Sequence, residues 1–377
     1  MRFPLSIIIP TRNRPQQCAA TVNAVLKFDH DFELVVFESS EDFSTEAYPL
    51  HDPRVRIVQG DSSFNMTQCF EAAVLEARRD FVCMIGDDDG VTPSLFQWVS
   101  RAARDNYTSI TNRVDRYVMY NWPDVKSIYF GDRDSGRLQL LIGTNGASDA
   151  DLVGERKKFL RNAGQGCGTL PRVYHGIVSR FVLEEMRSRF GQCFDGVSPD
   201  VSFSYFASMV SKRHAVVDNP LTISGQSAGS NAGRSAMHQH KGDLWSDPHM
   251  QRYRGTNWPA EIPAFFSVET VWGQATLSAI ANAHPADLKD FPFNWYYALL
   301  LVKHPDRWRE TMGAVRQNGA ATTSGLALQL ARVVFGQAMQ LGGRIGRRIR
   351  PPAGVISADA ADIATASQIV ARYLEDA

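Results

Sequence analysis

The first third of the chain alternates short, strongly apolar β-branched runs with helical stretches, and this alternation constrains the fold more than any other feature. Leu5–Ile9 (LSIII) reads as a buried strand, and Pro10–Pro15 as a loop. A helix is expected over about 16–27, with Ala20, Val22, Ala24, Val25 and Leu26 on its apolar faces. Phe32–Phe37 and Arg54–Val58 read as the next strands, followed by a helix over about 66–78 and a fourth strand, Asp80–Ile85. Strands apolar on both faces and separated by helices predict a mainly parallel α/β sheet with helices on each side. Ligands of such sheets sit beyond the carboxyl ends of the strands. The candidate site residues are therefore the polar ones that follow the strands: Thr11–Arg14, Glu38–Ser40, Gly60–Asn65 and Asp87–Asp89.

The rest of the chain is less regular. Strands are expected near 108–120 and 215–218, a helix over 180–190, and Gly-rich loops over 163–168 and 225–233. Segments 265–283 and 293–302 read as helices rich in aromatic residues. Residues 324–350 read as one amphipathic helix, with Leu326, Leu330, Val334, Leu341 and Ile345 at helical spacing. Gly342-Gly343 is expected to interrupt it, Pro351-Pro352 to end it, and a short helix over about 358–374 to close the chain.

Composition removes several classes of function. With 377 residues, 44% hydrophobic and 21% charged, the chain is globular rather than disordered or fibrous. Forty Lys and Arg balance forty Asp and Glu, so the basic excess of a nucleic-acid binder is missing. Cys18, Cys69, Cys83, Cys167 and Cys193 form no CxxC pair, which predicts free thiols in a reducing compartment. Pro4, Arg2 and Arg12 break up the start before a secretory apolar stretch forms, so no signal peptide is expected. No apolar run approaches the roughly 18–20 residues of a membrane span.

Gly86-Asp87-Asp88-Asp89-Gly90 directly follows the fourth strand. Three adjacent carboxylates repel one another, and a neutralising cation removes that cost. Their oxygens suit a hard ion such as Mg²⁺ or Mn²⁺, which also takes phosphate oxygens and water. A solvated acidic turn is the alternative. Its place after a buried strand in this fold class favours a metal–phosphate site.

IIIPTRNRP near the start, a second strand ending in an acidic residue (VVFESS), and an Asn-bearing loop and helix before a strand ending in DDD form an ordered set. That set resembles the nucleotide-binding half of family-2 glycosyltransferases with the GT-A fold. LPRVYHGIVSR (170–180), FDGVSPD (194–200) and DNPLTISG (218–225) resemble their acceptor half. The resemblance implies a GT-A, Rossmann-like sheet, mixed but mainly parallel and flanked by helices, over residues 1–245. Residues 1–90 would form its nucleotide-binding half and 91–245 its acceptor half. A helical extension over 246–320 and C-terminal amphipathic helices over 321–377 complete the expected organisation.

The same resemblance implies roles for particular residues. Pro10, Thr11, Arg12 and Asn13 match the loop that lies against the nucleotide base and ribose. Glu38 stands where the family usually has an Asp that contacts the base, and Asn65 where a polar residue reaches it. Asp87 and Asp89 match the outer carboxylates of the DxD motif. The last would bind the divalent ion (Mn²⁺ or Mg²⁺) and the earlier one would hold the ribose, with Asp88 open to either role. Asp200 matches the catalytic Asp that takes the acceptor's proton, at the start of a helix over about 201–211. Ser-Pro-Asp is also a common helix start in its own right. Asp195 is the reserve base, in a Gly-flanked turn. His240, ahead of His238, matches a third metal ligand carried by a loop. Ser224–Arg234 suits a loop that closes over the donor, with Arg234 placed to reach a phosphate. His175 reads as a structural histidine, and Cys167 has no base or triad spacing to make it a nucleophile.

The combined reading is an inverting glycosyltransferase of the hexosyltransferase type, acting in surface polysaccharide assembly. It would move a sugar from a nucleotide-diphosphate sugar to a hydroxyl of a glycan or lipid-linked glycan. Charge growing on the leaving diphosphate calls for a cation, and the weakly nucleophilic hydroxyl calls for a base. The 326–350 helix carries Arg344, Arg347, Arg348 and Arg350 beside its apolar stripe, which suits an anionic membrane surface or a subunit contact. The aromatic-rich segment after 255 is a further candidate interface for a homo-oligomer. The expected location is the cytoplasm or the inner face of the cell membrane, with no nucleic-acid partner. The rivals are a catalytically silent nucleotide- or glycan-binding assembly partner and a nucleotidyltransferase. The latter is disfavoured because no Gly-rich phosphate loop follows the first strand. The missing GxGxxG excludes a dinucleotide dehydrogenase.

Overall fold

A strand with no charged side chain and branched residues throughout belongs in the middle of a sheet, and β1 (Leu5–Thr11) is buried at every position. The computed structural model describes residues 2–42, 45–46, 48–49, 51–125, 134–230, 241–349 and 354–375. In it β1 lies between β2 (Glu33–Glu38) and β4 (Phe81–Met84), with β3 (Val55–Gln59) outside β2, all parallel. The sheet continues through β10 (Ile177–Ser179), which is antiparallel to both neighbours. It ends with β6 (Ser109–Asn112), β11 (His214–Val217) and the edge strand β9 (Ala147–Asp149).

Alternate strand residues feed two cores, as the pleat requires. Ile7, Ile9, Leu34 and Val36 pack in the cluster that includes helices α1 (Pro15–Val25) and α3 (Pro93–Asp105). Ile8, Val35, Val82 and Met84 pack with α2 (Met66–Leu75), α5 (Arg180–Phe190) and α6 (Pro199–Val210). The expected mixed, mainly parallel α/β architecture is what the chain forms. Helix α3 falls where the sequence reads as irregular, as does α4 (Leu152–Arg161). Pro93 in the first turn of α3, with Leu95, Phe96, Val99 and Ala102 buried at helical spacing, is the signal that marks it.

A second sheet flanks the acidic turn. It is built from β5 (Gly90–Val91), β7 (Tyr117–Asn121), β8 (Arg137–Leu141), β12 (Thr222–Gln226) and β15 (Ile356–Asp359), in the order β15-β8-β7-β12-β5. A ribbon of β13 (Lys241–Asp243) and β14 (Phe265–Ser267) stands apart from both. The strand β15 departs from the helix expected from residue 358: Ile356–Asp359 pairs with the open edge of β8, and the last helix is Ile363–Glu375. Asp362 accepts the Thr365 N–H at 2.7 Å and so marks the helix start. Ile363, Ala366 and Val370 pack with Val118, Tyr120, Leu138, Leu140 and Ile223. The chain end from 354 is thus packed on the sheet domain, not with the amphipathic helix it was grouped with over 321–377.

Helices Val268–Ala283 and Phe293–Lys303 are not a separate body. Ala275, Ile280, Tyr296 and Leu300 belong to the same buried cluster as Ile8 and Val201. Helix Thr323–Ile349 runs through Gly342-Gly343 without the expected break. Each glycine costs a helix about 1 kcal/mol relative to alanine, less than the flanking helix formers supply. Among the described residues no helix is long and apolar enough to cross a membrane.

An ion cluster ties two of these helices together. Glu269 accepts from Lys303 Nζ at 2.6 Å and from His304 Nε2 at 2.9 Å. Burial by itself would raise the Glu269 pKa, but the two donors outweigh it and hold the carboxyl at about 2, below its ordinary 4.5. A depressed folded pKa adds stability that is present above the unfolded value and lost as pH falls through the folded one. Glu269→Gln is therefore expected to lower the thermal midpoint at neutral pH. The gap to wild type should narrow as pH falls from 4.5 towards 2. A pH series of unfolding midpoints checks this, and a gap that does not change with pH would remove the ion cluster as its cause.

Candidate active site

The carboxyl end of β1 and the turn after β4 open into a cleft of about 960 Å³. Its walls take Thr11–Arg14 from the first loop, Asp87–Asp89 from the acidic turn, Arg172, Tyr174 and His175 before β10, and Asp200 from the first turn of α6. Of the residues expected at a nucleotide, Pro10, Thr11, Arg12 and Asn13 all line it. Arg12 Nε donates to the Ser39 carbonyl at 3.1 Å and its Nη2 to the Phe64 carbonyl at 2.7 Å, clamping the loops after β2 and β3 together. The Asn13 N–H donates to Ser40 Oγ at 2.6 Å. Asn13 has φ +55°, a left-handed conformation that Asn tolerates better than most residues.

Glu38 and Asn65 are not on the wall. The Glu38 carboxylate is buried and accepts from the Ser40 N–H at 2.9 Å, from Ser40 Oγ, and from Tyr48 OH at 2.7 Å. Its neighbour Ser39 lines the cleft instead. Asn65 caps α2, accepting the Gln68 N–H at 2.9 Å in a reciprocal capping box. Both side chains are engaged in shaping the loops that the base was expected to meet. The reserve base, Asp195, accepts from Ser278 Oγ at 2.9 Å and fastens its turn to helix Val268–Ala283. His240, His238 and Arg234 lie outside the described residues.

The acidic trio is buried and held by an arginine of the loop after β1, to which the sequence gave no role of its own. Arg14 pairs with Asp87 at 2.5 Å and with Asp88 at 3.2 Å, and also donates to Ser227 Oγ. Thr11 Oγ1 donates to Asp87 at 2.7 Å, and the Ser227 N–H and Oγ donate to Asp88 Oδ2 at 3.0 and 2.5 Å. Asp89 receives the Gly225 N–H on one oxygen at 2.7 Å. Its other oxygen receives the Gly86 N–H at 2.6 Å and Tyr174 OH at 3.0 Å. Burial raises the pKa of Asp87 and Asp89, and the Asp88 charge adds to it. Arg14 opposes this at Asp87, and the two N–H donors oppose it at Asp89. Glycine at 225 is required by this packing, because a Cβ there would stand 1.8 Å from the Asp88 carbonyl oxygen.

Donor chemistry decides which of the three suits the divalent ion that the resemblance implies. Both oxygens of Asp89 are taken by hydrogen-bond donors, and both of Asp87 by Thr11 and Arg14. Asp88 Oδ1 accepts from no described group, and Asp88 lines the cleft. A Mg²⁺-type ion needs as few as one carboxylate when substrate phosphates and water complete its shell. Asp88 fits that requirement. Asp89, where the resemblance placed the ion, has both oxygens engaged in bracing the turn. Among the described residues no three His, Cys, Asp or Glu side chains are grouped to hold an ion unaided.

Across the cleft, Asp200 Oδ1 accepts from Ser198 Oγ at 2.8 Å, while no described group donates to Oδ2. His175 lies at 3.3 Å from Asp89 and shares a proton with Thr222 Oγ1 at 2.7 Å. Burial and the Arg172 charge press its pKa down to about 3, so the ring is neutral at pH 7. Cys167 Sγ contacts the Asp200 carbonyl at 3.7 Å. Burial and the Asp200 charge push that thiol up to about 12, which leaves it no thiolate. Sequence reasoning placed Arg14, Ser227 and Tyr174 in candidate site segments but gave none of them a role. The second arginine of PTRNRP was the available signal for the first of these. Nothing local marks the other two.

Residues 6–159 match the model of the family described as glycosyl transferase family 2. That match covers 154 of the 377 residues and runs from β1 into α4. The mixed, mainly parallel α/β sheet agrees with that match. Arg172–His175 and Asp200 lie beyond that segment. Among solved structures, the chain resembles S. aureus TarS 1-349 in complex with UDP-GlcNAc. That match has 14% identity and a TM-score of 0.46 over 84% of this chain and 92% of that one. It also resembles the mannosyltransferase PcManGT from Pyrobaculum calidifontis in complex with GDP-Man and Mn²⁺. Identity there is 14% and the TM-score 0.42, over 100% and 88% of the two chains. Likenesses this remote assign neither residues nor substrates. Among curated proteins none is similar enough to match.

Proposed function

We propose that the chain moves a sugar from a nucleoside-diphosphate sugar to an acceptor hydroxyl in a single displacement, with inversion at the anomeric carbon and Asp200 as base. The observation that carries this is the pairing of two features in one cleft. A carboxylate fixed by Ser198, with its second oxygen unengaged by any described group, lines the same space as the acidic trio. An acceptor hydroxyl is weakly nucleophilic at pH 7, and a positioned carboxylate takes its proton as the new bond forms. Arg14, held between Asp87 and Asp88, supplies a fixed positive charge beside the leaving diphosphate, where negative charge grows. A divalent ion held by Asp88 would supply further stabilisation of that charge. Tyr174 and the Gly225 N–H keep Asp89, and with it the turn, in place for binding.

The test is a thermal-shift panel of nucleoside diphosphates with Mn²⁺, Mg²⁺ or EDTA. One nucleoside diphosphate is expected to raise the midpoint, and more so with metal than with EDTA. A panel without any response would leave the acidic trio as a charged turn and overturn the reading.

The acceptor of this proposal is a glycan or lipid-linked glycan at a membrane surface on the cytoplasmic side. Helix Thr323–Ile349 supports it. Leu326 and Val333 pack inward, while Leu328, Phe335 and Met339 form a row on the opposite face at 54%, 70% and 64% exposure. Arg344, Arg347 and Arg348 follow in sequence. Apolar rows beside basic residues bind anionic lipid. The full chain is expected to co-sediment with phosphatidylserine vesicles but not with phosphatidylcholine ones, and Leu328→Glu with Phe335→Glu should abolish it. Equal sedimentation of the variant would detach this helix from the membrane.

A further inference from the structure

Arg172 forms no ion pair among the described residues. It lines the cleft in the turn before β10, where burial lowers its pKa and the Asp200 carboxylate opposes that shift. A guanidinium nevertheless keeps its proton. Its described hydrogen-bond partners are neutral: Asn112 Oδ1 at 3.2 Å and the Asn112 carbonyl at 3.5 Å, both from Nη2. Its Nε is shut off from solvent and donates to nothing described. Asp200 forms no ion pair with it and is oriented instead by Ser198. A guanidinium with a buried, unpaired donor carries a cost that an arriving anion would relieve. The guanidinium fork suits a carboxylate or a phosphate.

The surroundings are built to hold it. The Asn112 amide nitrogen donates to the carbonyls of Arg113 at 2.9 Å and Arg116 at 3.0 Å. The side chain that orients Arg172 therefore also closes the turn that carries Arg116. Arg116 lines the same cleft, and its Nε is likewise buried without an acceptor, although Nη1 pairs with Asp115 at 3.0 Å. His175, next to this pair, is neutral and adds no competing charge. The donor's diphosphate is already served by Arg14 at the acidic trio, whereas Arg172 stands with Asp200, where the acceptor hydroxyl must lie.

We propose that Arg172, set by Asn112 and seconded by Arg116, binds an anionic group of the acceptor, so that the acceptor is an acidic sugar or a sugar phosphate and not a neutral glycan. This rests on the glycosyl-transfer reading above. The experiment titrates glucose, glucuronic acid and glucose 6-phosphate into the full chain, with the nucleoside diphosphate identified by the panel held at saturation. Wild type, Arg172→Gln and Arg172→Lys are compared by calorimetry. Wild type is expected to prefer at least one acidic ligand over glucose by about ten-fold or more. Glucuronic acid then marks a carboxylate acceptor, and glucose 6-phosphate a phosphate one. Arg172→Gln should lose the preference, Arg172→Lys should keep part of it, and nucleoside diphosphate affinity should stay unchanged in all three. Three results overturn the proposal: no acidic preference in wild type, a preference that survives Arg172→Gln, or a loss of nucleoside diphosphate affinity in that variant, which would give Arg172 to the donor. The wild-type result stands even where the Gln variant fails to fold. A wild type that binds no nucleoside diphosphate defeats the glycosyl-transfer reading instead, and the same titration without nucleotide still tests the arginine.

Discussion

Replacing Asp200 by Asn is expected to lower sugar transfer by roughly 10²–10⁴-fold, the range for loss of a positioned general base. Nucleoside diphosphate affinity should stay within about two-fold of wild type, because an interaction made only in the transition state moves turnover and not ground-state binding. Asn is close in shape and keeps an oxygen for Ser198, so the fold is preserved and the loss reports the proton acceptor. Initial rates with a radiolabelled donor, set beside a binding titration of the same preparation, check both halves. Turnover near the wild-type value would remove Asp200 from the mechanism. Asp195 would not replace it, since its carboxylate is fastened to Ser278 and its turn is structural.

The second large effect separates two adjacent carboxylates. Asp89→Ala strips an acceptor from two backbone N–H groups and from Tyr174 OH at a site where Asp89 is 1% exposed. Each buried donor left unsatisfied costs about 1–3 kcal/mol, so the variant is expected to lose several kcal/mol of stability. Asp88→Ala removes only contacts to Ser227 and Arg14, together with the oxygen that fits an ion. It also leaves the buried Ser227 donors unsatisfied and is expected to lose stability too, but it alone should lose the extra stabilisation that metal gives the nucleoside diphosphate complex. Melting curves with and without Mn²⁺ read both variants. If Asp89→Ala melts as wild type and is the one that loses the metal response, the ion belongs to Asp89 after all.

Much of this was legible in the sequence because it rests on local chemistry. LSIII and FELVVF are apolar on both faces, which only a covered parallel sheet accommodates, and the strands occur within a residue or two of their expected ends. The acidic trio stood out because clustered carboxylates are expensive unless they have a task, whereas Asp200 stood out only through the family resemblance. Glu38 and Asn65 show where this reasoning stops. Both sit at the right place in the chain, yet Tyr48 and Ser40 claim one and the Gln68 capping box claims the other. Polar residues near strand ends serve loops as readily as ligands, and spacing alone does not separate the two. The last helix was misplaced for a related reason. Residues 356–359 carry no helix-breaking signal, and it is the open edge of β8, more than two hundred residues away, that makes them a strand.

The sequence by itself determined the α/β class, the side of the sheet on which the cleft opens, and the two groups of carboxylates that face it. Periodicity, strand hydrophobicity and the cost of clustered charge act over a few residues and are written in the chain. Only the tertiary structure decided that Arg14 bridges Asp87 and Asp88, that Asp89 braces the turn while Asp88 keeps one oxygen unengaged by any described group, and that Arg172 lines the cleft with Asp200, its Nε buried and no ion-pair partner among the described residues. Which oxygen accepts which proton depends on groups far apart in sequence, such as Gly225 and Gly86 on one carboxylate. The balance between burying a charge and pairing it exists only once those groups have met.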